Sequence, residues 1–181
     1  MALSTITNKV KVYNPYALYV TPWTSETTKG SAIYLLDEVI RDSTTITQED
    51  PTENKIENEF SSAPIINTVT LGSYTFSSEV ADMSPELLNI LCGYTLDTNK
   101  EKAYAPSTYA PLYAEIALVF QATGGKYIAA ILPKVQLNSK ATLDSLSSSM
   151  GRITLAGTGL NATVDGKTTP FVLDTEYELP A

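Results

Sequence analysis

The chain has 181 residues, a hydrophobic fraction of 43% and a formal net charge of −8 at pH 7. This length suits one domain with its own hydrophobic core. The acidity and the lack of a basic tract argue against tight binding to nucleic acid phosphates. With one cysteine and no histidine, the chain has no internal disulfide, no thiolate metal cage and no imidazole base.

The first residues, Met1 to Thr5, lack the basic and apolar regions of a signal peptide. No apolar run approaches the roughly 18 residues that a membrane-spanning helix needs. We therefore expect synthesis in a cytoplasm and no membrane anchoring.

Short apolar runs and alternating patterns between turn residues predict a mainly β fold. We expect a β-sandwich or half-barrel of about eight to ten antiparallel strands. The turns Gly124-Gly125 and Asp165-Gly166 predict hairpins, and Pro133 predicts the end of a strand. The predicted strands cover residues 9–12, 17–21, 31–36, 53–60, 65–76 with a break at Gly72, 113–121, 126–132, 134–143, 152–160, 161–164 and 170–173.

One short flanking α-helix is predicted at about residues 85–92. Ser84 is a suitable N-cap, Pro85 suits the first helical position, and Gly93 suits the end. About two turns are too short to be stable alone, so this helix must pack on the sheet. Residues 143–150 are a weaker helix candidate.

Two polar segments, 37–63 and 96–111, are predicted as long loops. Long loops are uncommon in compact domains unless they have a function or are disordered. The tyrosines and prolines of the second segment argue against simple disorder.

Carboxylates are the only candidate catalytic groups, and they cluster in residues 49–59. A glycosidase needs two carboxylates that face one sugar, but alternate residues of a strand project from one face. A solvated acidic face is the simplest interpretation, and a functional acidic surface stays open. No enzyme, cofactor or metal site is predicted. The candidate surface residues are Glu49, Asp50, Glu53, Glu57 and Glu59.

The order of elements is informative: an acidic, Thr-rich segment at 44–51, the acidic strand 53–60, the strands within 65–76, the helix at 84–93, and then long strands. This layout resembles the major tail tube proteins of tailed bacteriophages and related injection machines, over residues 30–175. The resemblance implies rings, of six copies, that stack into a hollow tube for DNA passage. It also implies other tail proteins as partners, synthesis in the bacterial cytoplasm and a final place in the virion tail.

The resemblance further implies that the 37–63 loop and an N-terminal arm, residues 1–15, bridge stacked rings. The acidic cluster would then line the lumen or lie in the ring-stacking loop, where negative charge repels DNA phosphates.

Two alternatives remain at this point. A β-sandwich adhesin or ligand-binding module on a virion or bacterial surface would suit the tyrosine-rich segment from Tyr104 to Tyr113. A carbohydrate-active enzyme would have to use the acidic cluster.

Overall fold

The structure, a computed structural model, describes residues 15–58, 61–108, 110–122, 125–143 and 151–180. For residues 56–58 and 61–67 it describes the backbone alone. The predicted strand at 9–12 and nearly all of the second helix candidate therefore lie outside the described residues, as do Gly124 and Glu59.

The prediction of a mainly β fold with one short helix is confirmed. The helix, α1, spans Pro85–Cys92. The strands are β1 (Pro15–Pro22), β2 (Tyr34–Leu36), β3 (Thr45–Gln48), β4 (Thr52–Asn58), β5 (Ser61–Thr70), β6 (Tyr74–Val80), β7 (Thr95–Leu96), β8 (Ala103–Tyr104), β9 (Leu112–Gln121), β10 (Tyr127–Leu137), β11 (Lys140–Thr142), β12 (Arg152–Gly159), β13 (Ala162–Val164), β14 (Lys167–Thr169) and β15 (Val172–Tyr177).

Nine of these strands form one antiparallel sheet, in the order β2-β1-β9-β10-β12-β6-β3. β15 pairs with the first half of β10, and β11 pairs with the start of β12. Short hairpins, β13–β14 and β7–β8, lie outside this sheet. β10 therefore joins two groups of strands, because β15 borders its first half and β12 borders its last residues.

The hydrophobic core takes alternate residues of β6 and β12, whereas the central strands β9 and β10 are buried at consecutive positions. Ile116 of β9 and Ile153 and Leu155 of β12 are fully buried there. Leu87 and Leu91 of α1 pack into the same core. The helix therefore covers the core face rather than standing apart from it.

The caps of α1 are as predicted. Ser84 accepts a hydrogen bond on its hydroxyl from the backbone N–H of Leu87, and Pro85 occupies the first turn. Gly93 ends the helix in the left-handed region with a φ of 71°, which glycine adopts without steric cost.

The prediction that a strand ends at Pro133 is wrong, because β10 continues to Leu137. The pairing with β9 moves from Leu132 opposite Ile116 to Val135 opposite Ala114. Pro133 and Lys134 together thus occupy the place of one residue, which is a β-bulge. Proline has no backbone N–H to donate, and a bulge accommodates this loss within a strand.

Both segments predicted as long loops contain paired strands. Residues 37–63 hold β3, β4 and the start of β5, and residues 96–111 hold β8, which pairs with β7. The predicted turn at Asp165-Gly166 is confirmed between β13 and β14, with φ values of 50° and 76°.

Candidate assembly surface

The acidic cluster lies on a long hairpin whose first part belongs to the central sheet and whose second part extends beyond it. β3 and β6 pair within the central sheet, whereas β4 and β5 pair only with each other among the described residues. We call residues 49–73, from the end of β3 to the start of β6, the hairpin arm. The arm is thus a two-stranded extension of the hairpin that begins in the sheet.

The base of the hairpin arm is held by contacts between its two strands. The backbone N–H of Glu49 donates to the carbonyl of Ser73 at 2.9 Å, and the Ser73 hydroxyl donates to the Glu49 carboxylate at 2.5 Å. A Cβ on Gly72 would lie 1.9 Å from the carbonyl oxygen of Glu49. This position therefore requires glycine, because the two backbones approach too closely for any side chain.

At the base of the hairpin arm, the described side chains are open to solvent. Every residue in 49–55 and 68–71 is exposed, including Val69 at 58% and Leu71 at 76%. Neighbouring residues of a strand point to opposite faces, so neither face at the base of the arm is covered by the rest of the chain.

The five predicted surface residues do not converge on a catalytic geometry in the part that is described. Glu49 binds Ser73 at the base, and Asp50 beside it is exposed. Glu53 binds Lys55, with 2.8 Å between Nζ and Oε2. This contact agrees with the predicted sharing of one strand face. The side chain of Glu57 and all of Glu59 lie outside the described parts.

Cys92 is a poor nucleophile, since its partly buried position raises the pKa of the thiol from 9.0 to about 11. A thiol with so high a pKa is almost entirely protonated at neutral pH. Within the described ranges, no group of three His, Cys, Asp or Glu residues could hold a metal ion.

Trp23 has a structural contact that the sequence did not reveal. Its indole N–H donates to the carbonyl of Pro133 at 3.3 Å. The ammonium of Lys134 lies 5.1 Å from the centre of the Trp23 ring and 4.6 Å from that of Tyr113. The same ammonium donates to the carbonyl of Glu26 at 2.7 Å. Lys134 thus fastens the loop after β1 to the bulge in β10.

Tyrosines of β1, β10 and β15 lie near one another. Tyr16 and Tyr127 stand with their ring centres 4.9 Å apart. The hydrogen bond with Tyr16 is the main cause that raises the pKa of Tyr127, whereas burial is the main cause that raises the pKa of Tyr177. The chain has 11 tyrosines, and the sequence alone does not show which strands carry this group.

No helix in the described parts of the chain has the length and apolar character needed to cross a membrane.

Comparison with known proteins assigns no family. No protein-family model matches the chain, and no curated protein is similar to it in sequence. Among solved structures, the chain is similar to a protein in the cryo-EM structure of the anti-feeding prophage (AFP) baseplate, 6-fold symmetrised. The identity is 10% and the TM-score is 0.41, over 96% of this chain and 97% of that chain.

Proposed function

We propose that this protein is a structural subunit that assembles into six-membered rings, which stack into a phage tail tube for DNA passage. The observation that carries this proposal is the hairpin arm, which is exposed on both faces at its base. A two-stranded hairpin alone is at best marginally stable in water. The arm therefore needs a surface to cover it, and copies of the same chain would supply one.

Assembly would also use the backbone edges of the arm. β4 and β5 have outer edges that no described residue pairs with, and open edges accept strands from neighbouring chains. In a closed ring every such edge can meet the next copy, so the edges form the assembly contact. Full burial of exposed side chains such as Val69 and Leu71 would contribute about 1.5–3 kcal/mol each.

The charge of the chain fits a channel for DNA. Each copy carries a net charge of −8, and the charge of a ring is the sum over its copies. A wall of that sign repels phosphates and lets DNA slide without adhering. We assign the five acidic residues of the arm to this wall or to the contact between stacked rings.

The proposal also states the partners of the subunit and its location. The subunit would be made in the bacterial cytoplasm, join other tail proteins and end in the virion tail without a membrane anchor. It would perform no catalysis and need no cofactor, because its role is to hold copies of itself in register.

One observation favours an adhesin as the second candidate. Tyr104, at the end of the β7–β8 hairpin, is 56% exposed, and exposed tyrosines on loops are frequent in ligand-binding surfaces. An adhesin would bind a glycan or protein ligand without forming rings.

Electron microscopy of the concentrated, purified chain separates the two candidates. Rings or tubes support the tube subunit. A protein that remains monomeric at every concentration, and that binds glycans on an array, contradicts the tube and supports the adhesin.

A further inference from the structure

Two tyrosines from strands that do not pair with each other meet at one end of the central sheet. Tyr16 lies in β1 and Tyr127 begins β10, while β9 runs between these strands and pairs with both. Neighbouring strands lie about 4.8 Å apart, so the backbones of β1 and β10 are separated by about twice that distance. The centres of the two rings are nevertheless 4.9 Å apart, with 47° between the ring planes. The two side chains therefore lean towards each other across β9.

The strand pairing is irregular at both tyrosines. The register of β1 against β9 shifts between Pro15 and Ala17, so Tyr16 lies in the irregular part. The register of β10 against β15 shifts between Tyr127 and Ala129. Such β-bulges bend a strand and change the direction of its side chains. The backbone of the sheet thus contributes to the contact between the two rings.

The two phenols share a hydrogen bond and are accessible from solution. Tyr127 and Tyr16 are joined by this bond between their side chains. Tyr16 is 52% exposed and Tyr127 is half-buried, so a small oxidant can reach the pair. The other aromatic contact within the described ranges joins Tyr74 to Phe171, and phenylalanine has no hydroxyl to oxidise.

We propose that Tyr16 and Tyr127 form a site of oxidative modification, at which a one-electron oxidant joins the two rings in an intrachain dityrosine cross-link. Each phenol gives up one electron and its hydroxyl proton, which leaves two tyrosyl radicals. The radicals combine through a carbon–carbon bond between ring positions ortho to the oxygens, and the two displaced ring hydrogens move to the oxygens. In total, two electrons pass to the oxidant and two protons pass to water.

The cross-link fixes β1 to β10 across the intervening strand. A covalent link that closes a long loop stabilises a fold mainly by restricting the unfolded chain, and the loop from Tyr16 to Tyr127 has roughly 110 residues. We therefore expect the oxidised chain to unfold at a higher urea concentration than the untreated chain. This inference concerns the single chain and does not depend on ring assembly.

Oxidation of dilute protein tests the proposal. A ruthenium photo-oxidant with persulfate supplies the one-electron oxidant, and dityrosine fluorescence measures the yield. Trypsin cuts after Lys126 and Lys134, so the peptide 127–134 contains Tyr127 and no other tyrosine. We expect mass spectrometry to find this peptide linked to the peptide 12–29, with two hydrogen atoms fewer than the two peptides together.

Phenylalanine variants give matched controls, because they keep the ring and remove the hydroxyl. Tyr16→Phe should lower the yield of the cross-link at least about tenfold, since a fixed contact greatly raises the effective concentration of one ring beside the other. Tyr19→Phe, in the same tryptic peptide, should leave the yield unchanged. Tyr104→Phe removes a tyrosine that is as exposed as Tyr16, at 56%, and should also have no effect. Circular dichroism establishes that all variants fold before oxidation.

Three outcomes would overturn the proposal. An equal yield in Tyr16→Phe means that the contact with Tyr127 does not direct the coupling. A yield that rises with protein concentration means that the coupled rings belong to different copies. An unchanged midpoint of urea unfolding after cross-linking means that the new bond does not hold β1 to β10 in the native arrangement.

Discussion

Ser73 donates a hydrogen bond to the carboxylate of Glu49 across 2.5 Å, at the point where the hairpin arm leaves the central sheet. The backbone bond between the same two residues lies beside it. Together the two hydrogen bonds join the strands of the arm where β3 ends and β6 begins. The direction of the arm is therefore set by a short, close contact and not by a hydrophobic core.

Gly72 is the residue most sensitive to substitution at this contact. Gly72→Ala places a Cβ 1.9 Å from the Glu49 carbonyl oxygen, so the backbones must separate. We expect a loss of about 1–3 kcal/mol in the free energy of unfolding, as for other overpacked sites, and weaker assembly. Urea unfolding measures the first effect and light scattering the second.

Gly166→Asn is the control for that substitution. A Cβ there has no neighbour within 4 Å, and asparagine tolerates its positive φ of 76°. If Gly72→Ala matches this control in both stability and assembly, the close contact does not set the arm.

The acidic residues of the arm should matter by position and not only by total charge. Glu53→Lys, Glu57→Lys and Glu59→Lys together change the net charge from −8 to −2, since each substitution adds two units to the charge of the whole chain. The control Glu26→Lys, Glu101→Lys and Glu178→Lys makes the same change at residues that are exposed elsewhere. We expect only the arm variant to lose tube formation or DNA passage, scored by microscopy and by a DNA ejection assay. Normal tubes and normal passage in the arm variant would refute the assignment.

Lys134 should stabilise the fold through its two aromatic neighbours. Lys134→Met keeps most of the aliphatic stem but removes the ammonium that faces Trp23 and Tyr113. A cation over aromatic rings contributes about 0.5–2 kcal/mol, and the substitution also removes the hydrogen bond to the carbonyl of Glu26, so we expect a loss of that size or slightly more. Trp23 is the single tryptophan, and its fluorescence in urea unfolding reports the change. Lys167→Met, at an exposed residue that begins β14, should cost less than half as much, and equal losses would refute the contact.

The thiol of Cys92 should be unreactive in the folded protein. Burial raises its pKa to about 11, so the native state holds the proton more tightly than the unfolded state. This contribution to stability is complete below pH 9 and is lost as the pH rises towards 11. Reaction with a disulfide reagent at pH 8 should be slow in buffer and fast in urea. Similar rates in both conditions would show that the thiol is open to solvent.

Local patterns predicted the helix and the turns well. Ser84, Pro85 and Gly93 specify the ends of α1 through short-range contacts that the sequence shows directly. The turn at Asp165-Gly166 is equally local, because its residue types favour the positive φ values that it adopts.

Features that depend on distant partners were not predictable in the same way. A proline normally ends a central strand, and the bulge that accommodates Pro133 is visible only in the pairing of β10 with β9. Alternation and apolar runs predicted strands at 53–60 and 65–76, but not that β4 and β5 would pair with each other as an extension of the β3–β6 hairpin. The sequence placed the acidic residues on one segment, but only the structure shows Glu49 tied to Ser73 at its base.

The most direct test of the central claim is sedimentation velocity of the chain with and without its hairpin arm. Replacing residues 50–72 with Asn-Gly joins β3 to β6 through a short turn and leaves the central sheet intact. The account predicts ring-sized or larger particles for the full chain and monomers for the armless one, with the same circular dichroism signature of folded β-structure. Equal assembly of the two proteins, or monomers in both at high concentration, would contradict it.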